Sequence, residues 1–395
     1  MLVVASTALL LSVLVWFNYS AVLPLVVAEW GLSGLRAGAI FGAFQAGYLF
    51  AILGAGYLAD RHPARWVIAG GATLAGLASL GFALLAEGFL VGATLRFLSG
   101  VGMAGVYVPG MRFLASWYGP AVRGRALGIY AGTFSIGGGL SFAVASSAAT
   151  TVGWRTAIAV TSVGALLVAP LVLGLAREAP DRPTRAHGSL RQLRSLLRNR
   201  AYLAAVGVYA FHNWELFGAW NWTVAFLVTV PALAGTTTGA AAGLLAGGMM
   251  VVGGLGNAVG GTLSDRLGRE RVIGVNLLAS ALLSLVIGRL SGLPLPALGV
   301  VVLVYGVVLV ADSSPTSAAI TEVTADERVG SALALQSLLG FVPTAVSPVV
   351  FGAALDVGGF ALAFPTLAVG ALAGLVMLVA FVRLRDAPTR ARERV

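Results

Sequence analysis

The sequence predicts an all-α membrane protein, with twelve transmembrane helices arranged as two six-helix, pseudo-symmetric halves. Three observations predict it. Of 395 residues, 58% are hydrophobic and only 10% charged, against roughly 45–50% and 25% in soluble proteins. Twelve stretches are apolar for the ~20 residues that a spanning helix needs. One short pattern recurs 205 residues further along, at the end of a corresponding stretch. So few charges cannot cover a soluble surface, and the mean hydropathy is +0.93. Disorder, a disulfide scaffold and an ordinary cytosolic enzyme are excluded.

The stretches run 2–28, 36–59, 66–86, 89–112, 126–149, 156–176, 201–229, 239–263, 272–290, 297–319, 331–354 and 361–382. Their apolar runs are continuous, so the alternating strands of a barrel do not fit. The first has no basic leading region and is too long for a signal peptide. It reads as an uncleaved helix, and a start further upstream stays open. Residues 177–200 form one long polar segment, giving a first half at 1–176 and a second at 201–395. Within the segment, Leu190, Leu193, Leu196 and Leu197 share a helical face among arginines. That pattern fits an amphipathic helix on the inner leaflet or a solvated linker.

Orientation follows from the arginines, since the chain has no lysine. With the amino terminus inside, 21 of the 25 basic residues fall on the inner side. Only Arg36, Arg155 and Arg289 fall outside, and Arg96 lies within a span. The positive-inside rule then puts both termini in the cytoplasm of a bacterial inner membrane. Topology accounts for the net charge of +10, so no nucleic-acid patch is implied. Cysteine is absent, which excludes disulfides and thiolate chemistry.

The recurring pattern is G-x-L-x-D-R. It closes the second stretch as Gly56-Tyr-Leu-Ala-Asp60-Arg61, followed by Arg65, and the eighth as Gly261-Thr-Leu-Ser-Asp265-Arg266, followed by Arg269. The same offset carries Arg123 onto Arg328, so three landmarks share one period and the halves are parallel repeats. An aspartate at a helix carboxyl end opposes the helix dipole and calls for a nearby cation or a neighbouring helix amino terminus. At these residues the chain resembles the major facilitator superfamily, whose loop after the second helix reads G-x-L-a-D-R-x-G-R-[RK]. The second copy fits well; the first has Pro63-Ala64 in place of Gly-Arg. Arg96-Phe-Leu-Ser-Gly100-Val-Gly102 resembles that family's R-x-x-x-G-x-G element. Ser116-Trp117-Tyr118-Gly119-Pro120, with Arg123-Gly124-Arg125 after it, is similar to the W-F-P-x-x-E-R-G turn of that family's anion and organophosphate porters, with Val122 in place of the glutamate. The overall texture is similar to the nitrate/nitrite and cyanate-type branches, though the arginines that nitrate porters bury on helices two and eight have no counterpart here. The G-x-x-x-G-P element of drug antiporters is not matched, because Gly132 to Gly139 contains no proline. The resemblance implies alternating access by two rocking bundles. Gly56, Asp60, Arg61, Arg65, Gly261, Asp265, Arg266 and Arg269 would form the gate. Arg112, near the inner surface, either snorkels or closes the cavity.

Charged groups at membrane depth are costly and point to function. Glu215 lies mid-way along the seventh stretch, with His212 one turn before it and Trp222 two turns after. The three fall within about 80° of one face. A His and Glu in a wet cavity could handle protons, or could be a packed pair. Asp312 opens Asp312-Ser-Ser-Pro315, where proline breaks the tenth helix, so Asp312 is a second candidate for proton coupling and solute contact. Arg96 could present a cation to an anion or tether its helix to a neighbour. Asn18, Tyr19, Gln45, Tyr48, Asn257 and Gln336 are uncharged candidates, and residues of that kind are as often interhelical glue. Gly243-x-x-x-Gly247 and Gly256-x-x-x-Gly260 read as close-packing faces, and Trp30, Trp66, Trp117 and Trp154 as an aromatic belt.

These readings converge on a monomeric secondary transporter with no cofactor and no metal. Its partners are the lipid bilayer, protons and a small organic or inorganic anion, taken up or exchanged. Proton-driven efflux of amphipathic drugs or metabolites is the alternative. An enzyme is disfavoured: the chain has three histidines, no traceable nucleophile–base pair and no phosphate-binding loop.

Overall fold

A computed structural model describes residues 1–179, 190–235, 238–325 and 328–392. Inside a bilayer each backbone N–H must find its acceptor within its own segment, which leaves helix as the answer for continuous apolar runs. Among the described residues there is no strand. The first half runs α1 (Leu2–Trp30), α2 (Gly34–Arg61), α3 (Ala64–Leu85), α4 (Phe89–Ala104), α5 (Tyr107–Trp117), α6 (Pro120–Val152), α7 (Trp154–Leu166) and α8 (Val168–Leu175). A short α9 (Leu190–Arg198) follows. The second half runs α10 (Arg200–Leu227), α11 (Thr238–Leu267), α12 (Arg269–Val286), α13 (Leu295–Val310), α14 (Ser313–Glu322), α15 (Val329–Ala363) and α16 (Pro365–Arg392).

Eleven spans among the described residues are long and apolar enough to cross a membrane. The twelfth, α10, has the length at 28 residues but is more polar, burying His212, Asn213, Glu215, Asn221 and Thr223. The reason is its position. It is enclosed by α1, α11, α14, α15 and α16, so its polar groups meet protein and not lipid. Helix ends overrun the expected spans, as where α6 begins at residue 120 and not 126. Hydropathy marks the hydrocarbon edge, and a helix continues past it into the headgroup layer.

The two G-x-L-x-D-R loops turn by different means. Gly268 adopts φ 92° between α11 and α12, a left-handed conformation that favours glycine. In the first copy Pro63, at φ −52°, precedes the first residue of α3, a position where its missing N–H costs nothing. The repeat also extends to the helix breaks. The fourth span breaks after Ala104 and the tenth after Val310, within one residue of the 205-residue offset.

Three helix pairs join the bundles: α2 with α15, α6 with α11, and α1 with α10. Gly34, Gly38 and Gly42 of α2 lie directly against the α15 backbone at Gly352, Pro348 and Ala345. Gly139 and Gly247 meet backbone to backbone, and Gly243 sits on Ser146 and Phe142. All these contacts lie in the half of the molecule remote from the chain termini. Along the same rows toward the termini, Gly56 of α2 and Gly124, Gly128 and Gly132 of α6 have no atom within 4 Å of where a Cβ would stand. The bundles therefore close at the far face and part toward the terminal face. Gly256 and Gly260 serve a different seam, packing α11 on Val307 and Ala311 within the second bundle. Both GxxxG pairs are close-packing faces, as the sequence predicts.

At the far face Asp356, just before the kink of α15 at Gly358 and Gly359, accepts from Gly34 N at 2.5 Å and Leu35 N at 2.9 Å. One bundle thus caps the open amino end of a helix in the other, with charge of the favourable sign. Trp154 and Arg155 both bond Glu29, at 2.6 and 2.9 Å. Trp154 meets Trp30 and Phe82 edge to face, and Trp30 is tilted on Phe82, whereas Trp66 is exposed.

Candidate solute and coupling site

Aromatic residues from both bundles meet below the far-face closure. Trp16 faces Phe217 with ring centroids 6.4 Å apart, Phe17 faces Trp220 at 5.8 Å, and Tyr48 faces Phe341 at 5.7 Å. Phe44 and Phe134 pack on Trp16 from the sides. This layer joins the two bundles through ring contacts on the terminal side of the far-face closure. Ser20 and Asn221 bond across the seam at 3.0 Å.

Arg96 is 2% exposed. Its fork donates to the carbonyl oxygens of Val15 and Trp16 at 2.9 and 3.0 Å and to Asn18 Oδ1 at 3.2 Å. The guanidinium lies 4.4 Å above the Phe44 ring, a favourable cation–π distance. Among the described residues no carboxylate pairs with it, and its Nε–H has no acceptor. Arg96 thus ties α4 to α1 and remains an uncompensated buried charge. Asn18 is committed to packing, donating to Ser79 and Thr161 at 3.0 Å each. Tyr19 reaches Ala37 O at 3.4 Å. Gln45, next to Phe44, is 2% exposed with neither amide atom bonded.

The second bundle holds the acids. Glu215 accepts from Ser280 Oγ at 2.8 Å and Ser284 Oγ at 2.7 Å, and Ser284 shares a 2.6 Å bond with Tyr305. His212 does not pair with Glu215. Its Nδ1 lies 2.9 Å from Asp312 Oδ1 and its Nε2 2.8 Å from Ser313 Oγ. Although 2.9 Å is close enough for a charge contact, the approach is off the hydrogen-bond line, because neither Asp312 oxygen counts a bonded donor. One turn separates His212 from Glu215 on α10, yet the side chains reach different neighbours: α14 for the imidazole, α12 for the carboxylate. Trp222 is elsewhere again, donating to Pro348 O of α15 at 3.1 Å.

The break of the tenth span forms as its proline suggests, and Asn257 Oδ1 takes the freed Ser314 N–H at 2.9 Å. The fourth span's break is met by Tyr130, whose hydroxyl donates to Val106 O and Tyr107 O at 3.3 Å. Gln336 donates to Ser317 Oγ at 3.0 Å. At the terminal face, Asp60 pairs with Arg112, and Arg269 with Asp265 and Glu322, each within its own bundle. Arg65 donates its backbone N–H to Glu178 at 3.1 Å, Arg61 covers the Tyr57 ring, and Arg266 is exposed. Leu196 of α9 is buried against the second bundle, so at that leucine the helix packs on protein. Residues 180–189 of the polar segment lie outside the described residues.

Sequence reasoning missed Ser280, Ser284, Tyr305, Ser313 and Asp356. Ser280 and Ser284 carried a signal, being four residues apart and so on one face of an apolar helix. Asp356 carried a weaker one, as an acid before two glycines.

The sequence profile of the Major Facilitator Superfamily matches residues 5–220 and 215–395. A Cupriavidus necator protein named as a probable sulfoacetate transporter is 26% identical over 270 residues, covering 63% of this chain and 61% of that protein. A Bacillus subtilis hexuronate transporter is 25% identical over 215 residues, covering 52% and 50%. The chain thus spans about half to three fifths of the length of these relatives. A bacterial homologue of the human lysosomal transporter Spinster, solved in an inward-facing, unoccupied conformation, superposes with a TM-score of 0.77 over 97% of this chain and 96% of that one, at 16% identity.

Proposed function

The chain belongs to the major facilitator superfamily of membrane transporters, and from that premise we propose that it carries a small organic anion by proton-coupled alternating access. Residues 1–176 and 201–395 are the rocking halves and 177–200 their linker, in a monomer. The arginine distribution supports placing the terminal face in the cytoplasm of a bacterial inner membrane, with the far face closed.

One observation carries the anion: Arg96 is a buried cation that no carboxylate among the described residues compensates. Its free Nε–H and the unbonded Gln45 amide offer donors to an acid group, and the ring layer offers an apolar wall. The transport of sulfoacetate and hexuronate, both organic anions, for which the relatives are named, supports the same class. The proton belongs on the second bundle, where Glu215 is 1% exposed and bonded only to hydroxyls. A hydroxyl can accept from the protonated acid or donate to the carboxylate, so the group can change charge without losing its partners. The G-x-L-x-D-R loops gate the terminal face, each holding its charges inside its own bundle while that face is open.

The test is uptake into proteoliposomes of a panel of organic anions and amphipathic cations under an imposed pH gradient. Accumulation of an anion is expected, and Glu215→Gln should abolish accumulation while sparing exchange between equilibrated compartments. Undiminished uphill transport by that variant removes Glu215 from coupling. The ring layer favours a second reading, export of amphipathic compounds, and selective movement of cations would establish it.

A further inference from the structure

At the broken tenth span three buried oxygen groups, two at α14 and one on the neighbouring α15, receive no hydrogen bond from the described residues. Asp312, Thr316 and Gln336 are 1%, 2% and 3% exposed. The unbonded atoms are both carboxylate oxygens of Asp312, the Thr316 hydroxyl and the Gln336 amide oxygen. Such groups are costly in a membrane interior unless something occupies them.

Each is turned away from a partner it could have had. Asp312 stands at the amino-terminal cap of α14 yet makes no capping bond; Asn257 takes the Ser314 amide instead. Thr316 could return its hydroxyl to the preceding turn, the usual resort of a helical threonine in an apolar setting. The buried Thr133, Thr161, Thr223, Thr324 and Thr344 all do so, donating to a carbonyl three or four residues back. Thr316 does not. Gln336 spends its N–H on Ser317, the residue after Thr316, which leaves its carbonyl end free beside α14.

Asp312 and Thr316 are one turn apart, so they share a face of α14. Together the three residues supply four hard oxygen atoms and a single negative charge. Hard cations select oxygen donors. One carboxylate is a poor match for a divalent ion but balances a monovalent one. Helix breaks at membrane depth are where transporters hold coupling sodium ions.

We propose that Asp312, Thr316 and Gln336 form a sodium-binding site. It deepens the transport reading above, on which its coupling role rests: Glu215 carries the proton, and the Asp312 cluster carries the sodium. His212 Nδ1 stands 2.9 Å from Asp312 Oδ1, and a neutral ring there would leave the carboxylate its charge for the ion.

The test uses the purified full chain in detergent, melted in sodium, lithium, potassium or choline chloride at one ionic strength, with direct binding of radioactive sodium alongside. Sodium should raise the melting temperature and choline should not. Thr316→Val, similar in shape but without the hydroxyl, should melt like the parent in choline while binding sodium about tenfold more weakly or worse. Thr316→Ser should restore binding, and Asp312→Asn should abolish it. Sodium indifference of the parent chain, or an unchanged sodium response in Thr316→Val, overturns the site. If a pH gradient drives anion uptake that ignores sodium, the site falls and the transport reading stands. If sodium binds as expected but no gradient moves any solute of the panel, the site stands and the transport reading falls.

Discussion

Arg96 does two things at once. Three of its bonds tie α4 to α1, and hydrogen bonds to a charged group contribute about 1.5–3 kcal/mol each. Arg96→Lys keeps the charge but loses the fork, so it should destabilise the empty protein by roughly 1.5–3 kcal/mol. Arg96→Gln should cost more, since the Val15 and Trp16 carbonyls would face an uncharged donor of shorter reach. A tether alone predicts only this loss of melting temperature. A solute contact predicts in addition that anion affinity, measured on the folded fraction, falls about tenfold or more in Arg96→Lys. Equal affinity in parent and variant would reduce Arg96 to a tether. Its type and depth were legible in the sequence, but its partners were not. They are backbone carbonyls of α1, and a carbonyl leaves no mark in the residue alphabet.

The α2–α15 and α6–α11 pairs show at the scale of elements what glycine does here. A Cβ on Gly38 would collide with the Pro348 carbonyl, whereas one on Gly128 meets nothing within 4 Å. The two sites lie at opposite ends of the seams, so one substitution should act in opposite directions. Gly38→Ala is expected to wedge the far face and move the population toward the form open there. Gly128→Ala should hinder approach of the terminal halves and favour the form observed. Spin-label distances across each face read both, and shifts of the same sign would reject the two-ended seam. The helices themselves were readable because bilayer thickness fixes their length, and the G-x-L-x-D-R copies gave their symmetry. The pairing of His212 was not readable. Helical phase placed it beside Glu215, but a side chain's partner depends on which neighbour stands opposite, and α14 rather than α12 faces the imidazole.

For the whole molecule, Asp356 is a charged contact that bridges the bundles where they close. Its carboxylate caps α2 through two N–H groups, and opening the far face must break both. Asp356→Asn keeps the shape and one acceptor oxygen while removing the charge that favours a helix amino terminus. The far-face-open population should rise by roughly twofold to fivefold, the range of a surface charge at a helix end. Distances across the far face that match the parent's would remove Asp356 from this role. The G-x-L-x-D-R loops lie at the other end, where in this form Asp60 and Asp265 hold partners inside their own bundles, so the substitution touches neither pair directly.

Joined at one end and parted at the other, the two bundles make a wedge. A wedge displaces more lipid from the leaflet at its wide end than from the other, and under the alternating access proposed above the asymmetry would reverse. Each turn of the cycle therefore exchanges area between the leaflets, and the equilibrium between the two forms answers to the bilayer's curvature stress as well as to solute. Lipids that crowd one leaflet should bias the cycle as a ligand does, without touching any residue of the site.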